Sequence, residues 1–345
     1  MDIAIASDTD QQLWDDIIQS SEEGTLFHTW KWLKIMEKHT RKKIFLQKYK
    51  AILYPLIVRD GNEIIGLMPV FLYDSPLLKM ACSPPFSVEN YYLGPVMKKN
   101  DAIKFHRKQS IFYEFQKTID DFLKSKLRSN YISIHSSPGM SDPRPYIWSG
   151  YKVEPAFTNI INLSPGEKTV WENFNQSVRK SVNKTEKMGI SVHTGSKEDF
   201  ETIFTMLQGR KRIHATKEFM FEIFETFFPG NLQFFIAKKD DVLLTGIIAI
   251  SYKNKMSVWT GSPKLTIDGI SPNYIVHWDS IRWACKNNYQ YFEIIGASDP
   301  TLFPFKSKFN GGIVPFYIMK WYSPLYRFIT SLKHGLFPRH QKSDE

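Results

Sequence analysis

Apolar and polar positions alternate with period two over two stretches far apart in the chain, Leu53 to Tyr73 and Leu232 to Tyr252. Each breaks at a turn, Arg59-Asp60-Gly61 in the first and Lys239-Asp240-Asp241 in the second, and in each a glycine (Gly66, Gly246) stands six residues after the first turn aspartate. The pattern predicts two copies of one β-hairpin, although two ordinary hairpins would share most of it. Steps of three and four residues predict helices around them, Asp10 to Ser20, Trp30 to Lys38, Ile103 to Leu127, Ser196 to Arg212 and Lys217 to Phe228. Such a mixture of strands and helices is an α/β grammar of the mixed α+β kind. A turn signal at Asn162-Leu163-Ser164-Pro165-Gly166 follows a strand-like run and divides the chain into residues 1–163 and 164–320, with a short helix and basic tail over 321–345. The Pro/Ser-rich stretch Ser136 to Pro145 reads as a surface loop.

The densest pattern lies between Asp268 and Gly312. Ser271-Pro272 predicts an N-cap followed by proline at the first helical position, where a missing N–H costs nothing. Tyr274, Trp278, Ile281 and Cys285 continue the apolar stripe to Asn287-Asn288, a short strand with one acidic residue follows to Ile295, and after Gly296 comes a loop, Phe303-Pro304-Phe305-Lys306-Ser307-Lys308-Phe309-Asn310-Gly311-Gly312. The helix start directs unpaired N–H groups and a positive dipole end at its surroundings, so Asn273, Tyr274 and His277 are candidate contacts to a substrate. His277 shares a face with Tyr274 and Ile281 and is a candidate base, against the plainer reading of a packed histidine. Lys306, set among phenylalanines, is a candidate for stabilising negative charge, against the plainer reading of a surface lysine.

Composition narrows the classes. The chain has 345 residues, 42% hydrophobic and 15% aromatic, enough for cores and not a disordered composition. No apolar run approaches the roughly 20 residues of a membrane-spanning helix, and no secretory leader is visible, which makes the cytoplasm the expected compartment. Cys82 and Cys285 are too few for a disulfide framework, and the histidines lack metal-ligand spacing. P-loop, nucleophile-elbow and dinucleotide fingerprints are absent. The 45 Lys and Arg against 35 Asp and Glu give a net charge of +10, which favours polyanions: RNA, a nucleotide-linked precursor or an anionic membrane surface. The segment Trp171 to Met188 concentrates that charge, as one helix with Trp171, Phe174, Val178 and Val182 on one side and Lys180, Lys184 and Lys187 on the other, Arg179 alongside. It is a candidate polyanion-binding or donor-binding stripe, and a solvated helix face is the plainer alternative.

The order of helix, short acidic strand, glycine and then F-K-x-x-F-x-G-G resembles the FemAB-type branch of the GNAT acyltransferase superfamily, with the CelD-type acyltransferases nearby. Gly24-Thr25-Leu26-Phe27-His28-Thr29 followed by Trp32 is similar to that family's opening block, and Trp171 to Gly189 to its basic helix. The resemblance implies two tandem GNAT-like domains, each a mostly antiparallel sheet flanked by helices, without the coiled-coil arm of some members. It implies transfer of an acyl or aminoacyl group onto an amine of a cell-envelope glycan or peptide precursor, with Phe305 and Lys306 at the reaction centre and Lys34, Arg210 and Arg212 near positions that grip a nucleotide diphosphate. No tightly bound cofactor is implied. The donor is aminoacyl-tRNA or acyl-CoA, and the usual GNAT pyrophosphate cradle is missing around Ser262-Pro263-Lys264, which weakens the second. A non-catalytic module that binds RNA or anionic lipid is the rival class.

Overall fold

The computed structural model describes residues 1–44, 47–86, 88–209, 215–261 and 265–336. Its strands are β1 (Asp2–Ile5), β2 (Arg41–Ile44), β3 (Gln47–Asp60), β4 (Glu63–Asp74), β5 (Lys79–Ser83), β6 (Val96–Met97), β7 (Tyr131–His135), β8 (Lys152–Asn162), β9 (Ser191–Thr194), β10 (Leu232–Lys239), β11 (Val242–Tyr252), β12 (Lys255–Gly261), β13 (Tyr291–Ile294) and β14 (Gly312–Tyr322). The helices are α1 (Gln11–Ser20), α2 (Trp30–His39), α3 (Phe105–Asp121), α4 (Arg144–Trp148), α5 (Glu167–Asn173), α6 (Gln176–Lys187), α7 (Lys197–Gly209), α8 (Lys217–Phe227), α9 (Asn273–Lys286), α10 (Phe303–Lys306) and α11 (Pro324–Leu336).

The strands form one sheet in the order β1-β3-β4-β5-β7-β14-β8-β13-β12-β11-β10-β9, with β2 added to β3 and β6 to β4. Read inward from its two edges, this order repeats itself. The predicted hairpins, β3–β4 and β10–β11, hold equivalent places, and each carries a register shift beside its turn, at Val58/Arg59 and at Ala237/Lys238. The parallel pairs β5·β7 and β12·β13 are equivalent too. At the centre the two lobes exchange strands: β8 pairs with β13, β14 pairs with β7, and β8 and β14 pair with each other from Gly312↔Ile160 to Lys320↔Lys152. The sheet is therefore continuous, and each lobe is completed by a strand from the other side of the Asn162–Gly166 turn.

Side chains of a strand point alternately to opposite faces, so period two separates the cores. Leu67, Phe71 and Tyr73 of β4, with Ile248 and Ile250 of β11, enter one core shared by both lobes and covered by α1, α2, α7 and α8. Met68, Val70 and Leu72 face α3 and α4 on the other side of the first lobe, while Ile247 and Ala249 face α5, α6 and α9 on the other side of the second. In the shared core Trp32 meets Phe27 at 5.1 Å and Trp259 at 5.3 Å, an aromatic chain that crosses from lobe to lobe.

Three local expectations need correction. The stretch read as one helix from Trp171 is two, because Phe174 turns inward to Trp278 and Phe309 and Asn175 then caps a new helix by accepting from Ser177 N at 2.9 Å. The Phe-Lys loop is helical, α10 followed by a tight turn over Ser307–Phe309 that ends at Asn310 with φ +54°. Helix α9 begins at Asn273 without a side-chain cap, its N-cap position being Pro272 rather than Ser271. No described helix is long and apolar enough to cross a membrane.

Candidate active site in the second lobe

Strands β12 and β13 run in parallel register only from Lys255↔Tyr291 to Val258↔Ile294. Beyond that point β12 stays with β11 up to Gly261, while the chain after Ile294 follows β8, Ala297 N donating to Phe157 O at 3.0 Å. The two strands splay and their facing backbone groups lose each other as partners. Lys306 fills this position: its side chain is buried, and Nζ donates to Ile295 O and, at 2.8 Å, to Gly296 O. Two of the three ammonium hydrogens are thus committed to main-chain carbonyls. Burial lowers the Lys306 pKa to about 8, the charge of Asp299 partly opposing the shift.

The equivalent opening of the first lobe is shut. Strands β5 and β7 separate after Ser83↔Ile134, and there Leu93 N donates to His135 O at 2.9 Å while Gly94 N donates to Ser83 Oγ at 2.9 Å. His135 stands where Ile295 stands in the other lobe. A main-chain segment satisfies its carbonyl, and Gly94 is required because a Cβ there would lie 2.9 Å from His135 O at φ +79°. One lobe closes its splay with backbone and the other caps it with a lysine.

Around Lys306 the turn packs as an aromatic box. Phe305 lies 4.8 Å from Tyr274, 5.1 Å from His277 and 5.3 Å from Phe309, between ring centroids. Lys308 Nζ reaches Tyr274 Oη at 3.3 Å. His277 is buried, and its Nδ1 lies 2.8 Å from Asn273 O, so Nδ1 carries the hydrogen and Nε2 keeps the lone pair. Desolvation lowers its pKa to about 4, with the Lys306 charge adding to the effect and the Asn273 carbonyl opposing it. A neutral imidazole with so low an affinity for protons is a weak base near pH 7. Asn273 is tied to β11, its Oδ1 accepting from Thr245 Oγ1.

Phe305, Lys306, Asn273, Tyr274 and His277 therefore come together. The basic helix joins them at one end, since Asn175 N donates to Lys308 O at 2.9 Å. From there Lys180, Lys184 and Lys187 lie exposed along α6, and half-buried Arg179 donates to Glu172 O at 3.1 Å. Lys34 stands elsewhere, on α2 over the shared core, 3.6 Å from Asp8 Oδ1 and 3.5 Å from Glu37 Oε2, beside an open hollow of about 430 Å³ lined also by Lys31, Lys38, Lys50 and Glu222. Arg210 and Arg212 lie outside the described residues, as do Ser262-Pro263-Lys264. A larger cavity of about 520 Å³ opens in the first lobe between the β3–β4 turn and the start of α3, and Lys306 lines neither hollow. Among the described residues no group of three or more His, Cys, Asp or Glu side chains is placed to hold a metal.

Two buried polar residues are not among the site residues read from the sequence. Asn159 of β8 is 2% exposed, its Oδ1 has no hydrogen-bond partner, and it sits under Gly311, where a Cβ would come within 1.7 Å. Glu293 of β13 is fully buried at the junction of the lobes, accepting from Tyr92 Oη at 2.8 Å, Thr158 Oγ1 at 2.7 Å, Ser257 Oγ at 2.8 Å and Lys255 Nζ at 2.8 Å. Its only visible trace was a single acid in an otherwise apolar strand.

Gly296 offers a direct check on the lysine cap. It has φ +86°, and a Cβ there would meet Lys306 Nζ at 3.1 Å. Gly296→Ala is expected to destabilise the protein by about 1–2 kcal/mol through left-handed strain and displacement of the amine. Thermal unfolding of purified variant and parent measures it, and equal midpoints would remove the close approach from the description.

The FemAB family model matches residues 147–241, a segment that includes β8 and α6. A UDP-N-acetylmuramoylpentapeptide-lysine N(6)-alanyltransferase of Weissella viridescens is 24% identical over 171 residues, covering 46% of this chain and 50% of that protein, so the match spans about half the length of this curated relative. A solved structure titled as FemX superposes with a TM-score of 0.66 at 12% identity, covering 95% of this chain and 100% of that one. A protein of unknown function from Bacteroides thetaiotaomicron VPI-5482 gives 0.58 at 10% identity, over 93% and 99%. A tandem GNAT protein from the clavulanic acid biosynthesis pathway gives 0.54 at 8% identity, over 93% and 98%. At these identities the structures speak for the fold alone. The chain shares its fold with FemX and with a tandem GNAT protein, and the resemblance to the FemAB type read from its motifs holds.

Proposed function

We propose that this chain is a FemAB-like aminoacyltransferase that moves an aminoacyl group from tRNA onto an amine of a cell-envelope precursor, with residues 164–320, completed by β8, as the unit that carries the reaction. The observation that carries this reading is the asymmetry of the two splays. The second lobe leaves a cation where its parallel strands part, whereas the first plugs the equivalent gap with main chain. In the reaction the acceptor amine attacks the ester carbonyl, a C–N bond forms as the C–O bond breaks, and the proton lost by the amine ends on the released ribose hydroxyl. The tetrahedral intermediate carries a negative oxygen, and a preorganised cation in a dry site stabilises it strongly. The third Lys306 hydrogen serves that oxygen, Phe305 and Tyr274 wall the site, and neutral His277 packs the turn.

The Weissella viridescens relative is named as an alanyltransferase acting on a lysine of a UDP-linked muropeptide, which supports an amine acceptor of this class. The basic helix supports a tRNA donor. It starts against the Lys308 turn and carries exposed Lys180, Lys184 and Lys187 outward over 12 residues, roughly 18 Å at 1.5 Å per residue. Acyl-CoA is the second reading, supported by the tandem GNAT neighbour. Donor titrations separate the two. Binding of aminoacyl-tRNA that weakens steeply with salt, weakens further in a Lys180/Lys184/Lys187 to Gln variant, and is indifferent to CoA is the expected result. Tight acetyl-CoA binding with salt-insensitive, weak RNA binding would transfer the assignment to the second reading, and no product with either donor would leave a binding module.

A further inference from the structure

Helix α11 is docked by one side only. Tyr326 stacks on Tyr131 at 5.1 Å and packs with Tyr322 at 5.7 Å, and Ile329 leans on the shared core. The adjoining side presents Leu325, Phe328 and Leu332, exposed by 44, 61 and 49%, a stripe at steps of three and four residues. Leu77, 52% exposed, lies at the same end, because Asn130 binds both Lys79 N, at 2.9 Å, and Ser323, whose N donates to Asn130 O at 2.9 Å. An apolar strip of this kind covers itself with something.

The charge around it selects what. No acidic residue occurs between Asp299 and Asp344, a span that holds Arg327 and Lys333 within α11 itself, and Arg327 is exposed. A second cationic block, Arg41, Lys42, Lys43, Lys48 and Lys50 of the β2–β3 hairpin, is joined to α11 through aromatic contacts: Lys42 Nζ stands 3.9 Å over Phe86, Phe86 stacks on Tyr131 at 6.3 Å, and Tyr131 carries Tyr326. We propose that α11 and the β2–β3 hairpin form one docking surface for an anionic lipid bilayer, with Leu325, Phe328 and Leu332 entering the headgroup and acyl boundary and the cations meeting lipid phosphates. A second copy of the chain is disfavoured, since a two-fold contact would set cation-only helices against each other. A nucleic acid would match the charge and leave the leucines and phenylalanine without a partner. The proposal is independent of the reaction and of the donor.

Co-sedimentation of the full chain with vesicles tests it. Mixed phosphatidylglycerol–phosphatidylcholine vesicles are expected to carry the protein down, pure phosphatidylcholine vesicles are not, and added salt reverses the binding. The Leu325→Ser, Phe328→Ser, Leu332→Ser variant is expected to lose at least about tenfold in partitioning while its circular dichroism stays that of the parent. The single Phe328→Ser change, at the most exposed of the three positions, gives the same direction if the triple variant fails to fold. Equal sedimentation with the two lipids, or an unaltered partition in both variants, would overturn the proposal. A concentration-dependent doubling of mass abolished by the same substitutions would overturn it too, in favour of a second copy.

Discussion

Lys306→Ala is expected to lower turnover by about 10²-fold, because one preorganised charge donor to a tetrahedral oxyanion is worth that order of rate. The same change removes the partner of two carbonyls, so stability and rate must be read together. Lys306→Met keeps the aliphatic stem and leaves Ile295 O and Gly296 O uncapped in the same way. If loss of rate came only from a loosened splay, Lys306→Arg would recover most of it by capping the carbonyls again. If the ammonium acts on the oxyanion, the bulkier guanidinium restores stability and leaves most of the rate missing. The pH profile adds a sign. Burial brings the Lys306 pKa down to about 8, so the charged form proposed to stabilise the oxyanion is lost as pH rises through that value. Turnover of the parent should fall on the alkaline side with one proton released, and the arginine variant should lack that limb. For stability the sign is opposite: between the folded value and the unfolded value of 10.5 the unfolded chain binds the extra proton, so the folded state gains as pH rises through that window. Undiminished turnover in a folded Lys306→Ala protein would take the lysine out of the mechanism.

Glu293→Ala should be the most destabilising single change at the junction of the lobes, about 3 kcal/mol, since removing one member of a buried, hydrogen-bonded charge cluster strands the others. Tyr92 from the first lobe, Thr158 from the exchanged strand β8, and Ser257 and Lys255 from β12 would all lose their acceptor. Burial alone pushes this carboxyl up. The Lys255 ammonium and the donors from Lys255, Thr158 and Tyr92 outweigh it and hold the group below the ordinary 4.5. A carboxylate depressed in the folded state contributes stability that is complete above its unfolded value and is lost as pH falls through its folded one. Chemical denaturation of the parent should therefore show stability dropping below about pH 4.5, with a shallower drop in Glu293→Gln. Identical acid limbs for the two proteins would show that the cluster is not charged in the folded state.

Much of this was readable in the residues themselves. Period-two alternation with a turn aspartate and a glycine six residues later marked both hairpins, and the sheet gives them equivalent positions. The apolar stripe of α9 and the spacing of Phe305, Lys306 and Phe309 marked the turn that carries the lysine. Side-chain periodicity and turn chemistry act over a few residues, and local sequence writes them plainly.

Other features had no local source. The break at Asn175 comes from Phe174 turning onto Trp278 and Phe309, residues about a hundred or more positions away. The crossing of β8 and β14 between lobes, the unpartnered Oδ1 of Asn159 under Gly311, and the 201-residue separation of Tyr92 from Glu293 arise from contacts across the whole chain. The sequence alone determined the two hairpins, the helices beside them and where a lysine would sit among phenylalanines. The tertiary structure alone decided that this amine caps a parting of two strands, because only the meeting of distant segments creates unpaired carbonyls for it to hold.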